Sequence, residues 1–170
     1  DGVMNYELTY PIWNLLGTPE TVLEQLDASS YQNEISKLLV SYPKFNLPNM
    51  YNLVDSHDTP RIAYKCGGDV RKIKLAYLLL LTFAGSPSIY YGSEVGLAGD
   101  PPHNRSCMPW EPKAWDQDLH QFVRDMVHLR RQHPTFRMLD MTWMNSPGDR
   151  WLGYCKRSED ETLYVLLNPT

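Results

Sequence analysis

His57 and Asp58 stand side by side in the run Asn52-Leu-Val-Asp-Ser-His-Asp-Thr-Pro-Arg61, and an imidazole beside a carboxylate is a candidate acid/base pair. Leu53 and Val54 close a short apolar run that reads as the end of a buried strand, and Pro60 disfavours helical geometry at Thr59. The pair therefore falls on the loop that leaves the strand. An Asp-Thr-Pro turn after a strand also arises without chemistry, when Asp or Thr serves only as a turn or cap residue. Spacing alone leaves both readings open.

The elements that would position this loop can be read along the chain. Residues 2–6 form a short apolar segment consistent with a strand, and Thr18-Pro19-Glu20 offers a cap, a proline at the first helical position and an acidic first turn for a helix through Leu26. Ile35, Leu38 and Leu39 mark a second amphipathic helix that stops before Pro43. A strand at 51–54 follows. Gly67-Gly68 then breaks the chain, and Asp69 caps a helix expected to run through Phe83, apolar around most of its circumference. Residues 88–91 read as a third strand, and 92–115 as a Gly- and Pro-rich loop of a length that is usually functional or disordered. Asp116 opens a helix whose apolar residues recur at helical spacing until His133-Pro134.

Beyond residue 135 the pattern changes. Residues 138–144, 150–156 and 162–167 read as strands separated by turn chemistry at 146–149 and 158–161. Three strand–helix units followed by an antiparallel module fit an α/β chain: the last three βα units of a (β/α)8 barrel over 1–135, then the start of an antiparallel β-sandwich over 136–170. In such a barrel the strand exits form the catalytic face, so His57 and Asp58 lie where chemistry is expected. A barrel of about 250 residues is not completed by about 135, and the chain opens at Asp1 in mid-pattern, so it is expected to be a piece of a longer protein.

Composition narrows the partners. The 170 residues are 42% hydrophobic and 21% charged, enough to bury a core. A net charge of -4 and scattered Lys and Arg argue against nucleic acid as a partner. The longest apolar stretch, 75–84, is too short to span a bilayer, so a buried helix is expected and no membrane partner. Eleven Tyr and five Trp suit stacking on sugar rings, although most aromatics in any domain are core. Cys66, Cys107 and Cys155 form no CxxC pair and no zinc-like set with His, so they are expected as free thiols, which favours a reducing, cytoplasmic setting and leaves an extracellular one open.

Three further segments give the chain a recognisable likeness. The Ser56-His57-Asp58 triplet resembles the fourth conserved region of the α-amylase family of glycoside hydrolases, which closes strand seven of its barrel. Ala84-Gly-Ser-Pro-Ser-Ile-Tyr-Tyr-Gly92-Ser93-Glu94 is similar to that family's strand-eight wording, Gly-x-Pro-x-Ile-Tyr-Tyr-Gly-Asp-Glu, with Ser93 in place of the Asp. Asp100-Pro-Pro-His-Asn-Arg105 with Pro109-Trp110 resembles the Asp-Pro-x-x-Arg…Pro-Trp segment of the neopullulanase, cyclomaltodextrinase and maltogenic amylase branch. The opening Asp1-Gly-Val-Met-Asn5-Tyr6 is similar to the sixth strand of that branch.

What the resemblance implies is a retaining hydrolase of α-glucosidic bonds in maltodextrins, cyclodextrins or pullulan. Asp58 would be its transition-state stabiliser, with His57, Asp100 and Arg105 binding substrate. For Asp100 and Arg105 the alternative is an ion pair within the loop. Arg61 is expected to meet a carboxylate inside the barrel mouth and Glu94 to brace the strand-eight turn, both as structural support. Tyr90 and Tyr91 are expected to pack, His103 to face solvent, and Trp110 either follows the sugar-binding motif or anchors the loop. Neither the family's Gly-x-Arg-x-Asp nucleophile motif nor its strand-five Glu motif occurs in the chain, so the isolated chain is expected to be inactive. No metal site or cofactor is expected here, and calcium in the parent stays open. The partner is an α-glucan oligosaccharide, and open strand edges leave a homo-oligomer open as well. The competing reading is a noncatalytic carbohydrate-binding or structural barrel remnant.

Overall fold

Asn5 accepts a 3.2 Å hydrogen bond from the Leu8 amide and so caps the first helix, α1 (Tyr6–Leu16). The computed structural model describes residues 2–144 and 147–169, so Asp1 of the opening motif, Ser146 of the turn expected after the first antiparallel strand, and Thr170 lie outside the described residues. The strand expected at 2–6 contracts to one parallel bridge between Met4 and Tyr51, because the helix already begins at Tyr6. Pro11 sits inside α1 and removes one backbone donor, yet the helix continues because Leu8, Ile12, Leu15 and Leu16 bury one face.

The helix expected at 18–26 does not form. Thr21 N and Val22 N both donate to Thr18 O, a single turn, and the chain then folds back so that Leu26 N reaches Asn14 O at 2.8 Å. Leu23 points fully into solvent, and so short a helix needs an apolar face packed on the core to persist. Asp27 instead caps α2 (Ala28–Ser41), which buries Ala28, Tyr31, Ile35 and Leu38 and stops before Pro43 as expected.

β1 (Tyr51–Asn52) lies parallel to β2 (Ser86–Pro87), in the register Tyr51 to Ser86 and Asn52 to Pro87, with Met4 bridged to Tyr51. The buried Asn52 side chain stitches these segments, accepting from Asn5 Nδ2 at 2.8 Å and donating to Ala84 O at 2.6 Å. The third strand is thus two residues earlier than the expected 88–91. Its ladder stops at Ser88 N to Asn52 O because the next carbonyls of the β1 segment are taken by α1: Thr9 Oγ1 donates to Leu53 O and Trp13 Nε1 to Val54 O.

After β1 come α3 (Ile62–Lys65) and α4 (Val70–Thr82), separated by Gly67 and Gly68 at φ of 61° and 77°, a left-handed turn that favours glycine. Asp69 caps α4 and Asp116 caps α5 (Gln117–Gln132), both as expected. The strand expected at 138–144 starts only at Thr142, since residues Pro134–Arg137 wind into a 3-10 turn. β3 (Thr142–Met144), β4 (Leu152–Arg157) and β5 (Thr162–Leu167) form an antiparallel sheet in that order. Leu152, Tyr154, Val165 and Leu167 of this sheet join the same core as Leu8, Ile12, Leu80 and Leu119. Each fully buried side chain of that size contributes about 1.5–3 kcal/mol. The Tyr154 hydroxyl meets Thr82 Oγ1 across the junction, tying the sheet to the end of α4.

The cysteines are free thiols, Cys66 and Cys155 buried and Cys107 exposed, and burial pushes the Cys66 thiol up to about 12. Among the described residues no helix is long and apolar enough to cross a membrane.

Candidate functional site

The turn after β1 is built around a buried carboxylate. Asp55, 2% exposed, accepts from Ile62 N at 2.9 Å and from Ser93 Oγ at 2.6 Å, both through Oδ2, and so closes residues 55–62 into a loop. Within it Ser56 N donates to Thr59 Oγ1 at 2.8 Å and Asp58 N donates to Ser56 Oγ at 3.1 Å. This tight turn leaves the next two side chains outside. His57 and Asp58 are 58% and 57% exposed, with His57 Nε2 3.2 Å from Asp58 Oδ2.

The long loop after β2 returns over this turn and grips it. Arg105 donates from Nη2 to Asp58 Oδ1 at 3.1 Å and from Nε to His57 O at 2.9 Å. Asn104, buried, donates its amide to His57 O at 2.8 Å and to Thr59 O at 2.9 Å. Asp100 shapes the loop through its backbone, its carbonyl accepting from His103 N and Asn104 N. Among the described residues no Asp100–Arg105 ion pair forms; Arg105 pairs with Asp58 instead. His103 faces solvent as expected.

Arg61 is fully buried beneath the grip. Its Nε donates to Asn104 O at 2.9 Å, its Nη1 donates to Tyr91 O at 2.7 Å and to Ser93 Oγ at 3.0 Å, and its guanidinium carbon lies 4.4 Å and 4.9 Å from the centres of the Tyr90 and Tyr91 rings. The expected carboxylate partner is reached only through Ser93, which links Arg61 to Asp55. Tyr90 and Tyr91 pack as expected, and Tyr91 also donates its hydroxyl to Ser106 O at 2.9 Å. Glu94 sits in the 3-10 turn Ser93–Val95 with Oε2 buried and unpartnered, beside a cavity of about 380 Å³ lined by Ile89, His120, Arg124 and His128. Trp110 is 79% exposed, while Trp115 Nε1 pins Pro109 O next to it.

Burial dominates the electrostatics. Desolvation pushes the Asp55 carboxyl up to about 6, against the pull of the Ile62 amide, the Ser93 hydroxyl and the Arg61 charge. The surface above it combines an imidazole, a carboxylate and a guanidinium held together by backbone carbonyls. Such a set offers donors and an acceptor to a neutral, hydroxyl-rich ligand. Among the described residues no cluster of three or more His, Cys, Asp or Glu is arranged to hold a metal ion. Sequence reasoning placed His57, Asp58 and Arg105 and missed Asp55, Ser93 as its partner, and Asn104. The available signal was Arg61: an arginine that is buried requires a counter-charge, and its loop carries two carboxylates, Asp55 and Asp58.

The family model described as the alpha-amylase catalytic domain matches residues 1–154. A cyclomaltodextrinase of Geobacillus thermopakistaniensis is 38% identical over 170 residues, and a maltogenic alpha-amylase of Bacillus acidopullulyticus 37% over 172. Each alignment covers 99% of this chain, which spans 28% of either relative. The native debranching enzyme of Nostoc punctiforme superposes with a TM-score of 0.91 at 33% identity, over 99% of this chain and 37% of that one. The cyclic alpha-maltosyl-(1→6)-maltose hydrolase of Arthrobacter globiformis gives 0.90 at 31%, over the same shares.

Proposed function

The chain belongs to the alpha-amylase family, and from that membership we propose that it supplies the last three βα units of a (β/α)8 barrel (residues 1–135) and the start of an antiparallel β-sandwich (136–170). The protein that carries it hydrolyses or transfers α-glucosidic bonds of maltodextrins, cyclodextrins or pullulan with retention. The observation that carries this reading is the exposed His57–Asp58 pair at a strand exit, gripped by Arg105 from the following loop.

Retention requires a nucleophilic carboxylate and an acid carboxyl about 5–5.5 Å apart across the scissile bond. In this proposal both come from elsewhere in the protein, and Asp58 does neither task. Its carboxylate accepts hydrogen bonds from ring hydroxyls, and these strengthen as the sugar acquires oxocarbenium character and its hydroxyls become more acidic. Arg105 orients Asp58 through its ion pair, and it donates to the substrate with its remaining N–H groups. His57 donates to the same ring, and Asp100 contacts sugar farther along the loop. Arg61 and Glu94 support the site from below.

The test is turnover of maltotriose and cyclodextrin. The intact protein turns both over with retained anomeric configuration, whereas pure 170-residue chain does neither. Binding of these sugars by an intact protein that never cleaves them would leave the noncatalytic carbohydrate-binding reading standing instead.

A further inference from the structure

Arg61 is fully buried, and a buried guanidinium is strongly destabilising without compensation. Its hydrogen-bond partners are two carbonyls and one hydroxyl, with none a carboxylate. The hydroxyl belongs to Ser93, whose own proton goes to Asp55 Oδ2 at 2.6 Å, so one serine stands between the buried cation and a buried anion. Ser93 is also the position where the strand-eight wording carries Asp. Asp55 and Ser93 therefore face the same guanidinium from two elements, the exit of β1 and the turn after β2. Either could hold its counter-charge, but not both, because two adjacent buried carboxylates repel.

We infer that Asp55, acting through Ser93, is the counter-ion of Arg61 in this chain, and that this relay is the positioning unit of the proposed sugar grip. The link to the grip is direct. Asp55 closes the base of the loop that carries His57 and Asp58, and Arg61 holds Asn104 O, the residue before Arg105. Losing the anion frees both ends of the Asp58–Arg105 contact at once. Glu94 is the other acidic group facing Asp55, and Tyr77 and Cys66 complete the titratable surroundings. Glu94 makes no hydrogen bond from its buried Oε2, so it is the rival counter-ion to be tested.

The inference rests on the glycosidase reading for its activity arm, and its stability arm stands apart from it. In the intact protein, Asp55→Ser removes the anion and Ser93→Asp alone adds a second one. The exchange variant Asp55→Ser/Ser93→Asp restores a single carboxylate with the same composition. Each single change should lower kcat about 10- to 100-fold with KM within about twofold, the cost of a small displacement of a transition-state group, and should lower the urea midpoint. The exchange should recover most of both losses. Should Asp55→Ser yield no folded protein, recovery of folded protein by the exchange reads the same coupling. An exchange variant no better than the worse single change overturns the inference, as does a loss with Glu94→Gln that Asp55→Ser fails to deepen. An unmodified protein without glucan turnover defeats the functional reading alone, since the urea midpoints still decide the counter-ion.

Discussion

Two buried cationic nodes hold this chain together, and they are compensated differently. At the strand exits Arg61 has two carbonyls, two aromatic faces and, through Ser93, the Asp55 carboxylate. At the junction of helices and antiparallel sheet, Arg130 donates to Leu81 O, Phe83 O and Gly85 O at 2.7–2.8 Å, and Lys156 Nζ donates to Phe136 O and Met138 O. Carbonyls take all the hydrogen bonds of this second node, including those at the negative end of α4, and the Asp140 carboxylate favours the Lys156 charge without a hydrogen bond to it. Burial lowers Arg130 to about 10 and Lys156 to about 7, and Arg130 itself further disfavours the Lys156 charge. The node whose anion is hydrogen-bonded into it underlies the surface proposed to bind sugar; the node held by carbonyls is a seam whose energy depends on pH. Function at one end and stability at the other should therefore respond to different substitutions.

The largest separation is expected at Asp58. Asp58→Asn in the intact protein should lower kcat about 10²- to 10³-fold, the cost of one lost transition-state hydrogen-bonding charge, with KM little changed. Its urea midpoint should stay put, because the side chain is more than half exposed. A comparable loss in binding would make Asp58 a ground-state contact. At the seam the converse holds: Arg130→Met leaves three carbonyls without their donor and should cost about 2–4 kcal/mol of stability. Its kcat per folded molecule should match the parent. A stability loss at Asp58 or a kcat loss at Arg130 would break the division between the two nodes.

Parts of this division were legible in the sequence. α2, α4 and α5 announce themselves by helical apolar spacing, and the last two also by Asp caps. The order of strands and the grip residues His57, Asp58 and Arg105 could be read as well. Local signals failed where tertiary bonds decide. Pro11 hid α1, whose persistence depends on a buried face; the good cap at Thr18 opened nothing because Leu23 has no core to meet. The third strand ended early because α1 side chains claimed the carbonyls that would have extended its ladder. Asp55 was only half legible for a related reason: Arg61 calls for a counter-charge, but the choice of Asp55 over Asp58 is set by Ser93, 38 positions away, and no periodicity encodes that meeting.

Lys156 offers a smaller, pH-resolved test of the seam. Its folded value, about 7, lies below the ordinary lysine value of 10.5, so the unfolded chain binds more protons between them. Stability should then rise with pH through that window and lose this contribution as pH falls toward 7. Lys156→Met should flatten the slope between pH 7 and 9. The freed Phe136 and Met138 carbonyls cost about 1–2 kcal/mol, which leaves the variant less stable at pH 9. That deficit should shrink or reverse at pH 7. Urea midpoints at the two pH values measure the slope, and parallel curves for parent and variant would mean that Lys156 stays charged in its carbonyl cradle.

Arg105 should also have only a small effect on stability, and its smallness is informative. Arg105 makes two hydrogen bonds to the turn, one of them an ion pair to Asp58, which resembles a structural clamp on paper. Yet both side chains are more than half exposed, and such pairs contribute about 0–1 kcal/mol because water competes for each partner. Asn104 holds the same His57 carbonyl from a buried position, so the turn keeps its anchor when Arg105 is cut back. Arg105→Ala should therefore move the unfolding free energy by no more than about 0.5 kcal/mol. Maltotriose binding, read by calorimetry on the intact protein, should weaken about tenfold, since exposed donors are available to ligand in a way buried ones are not. A stability loss near 2 kcal/mol with binding intact would instead place Arg105 with Arg61 among the groups that hold the loop, and the functional surface would narrow to His57 and Asp58.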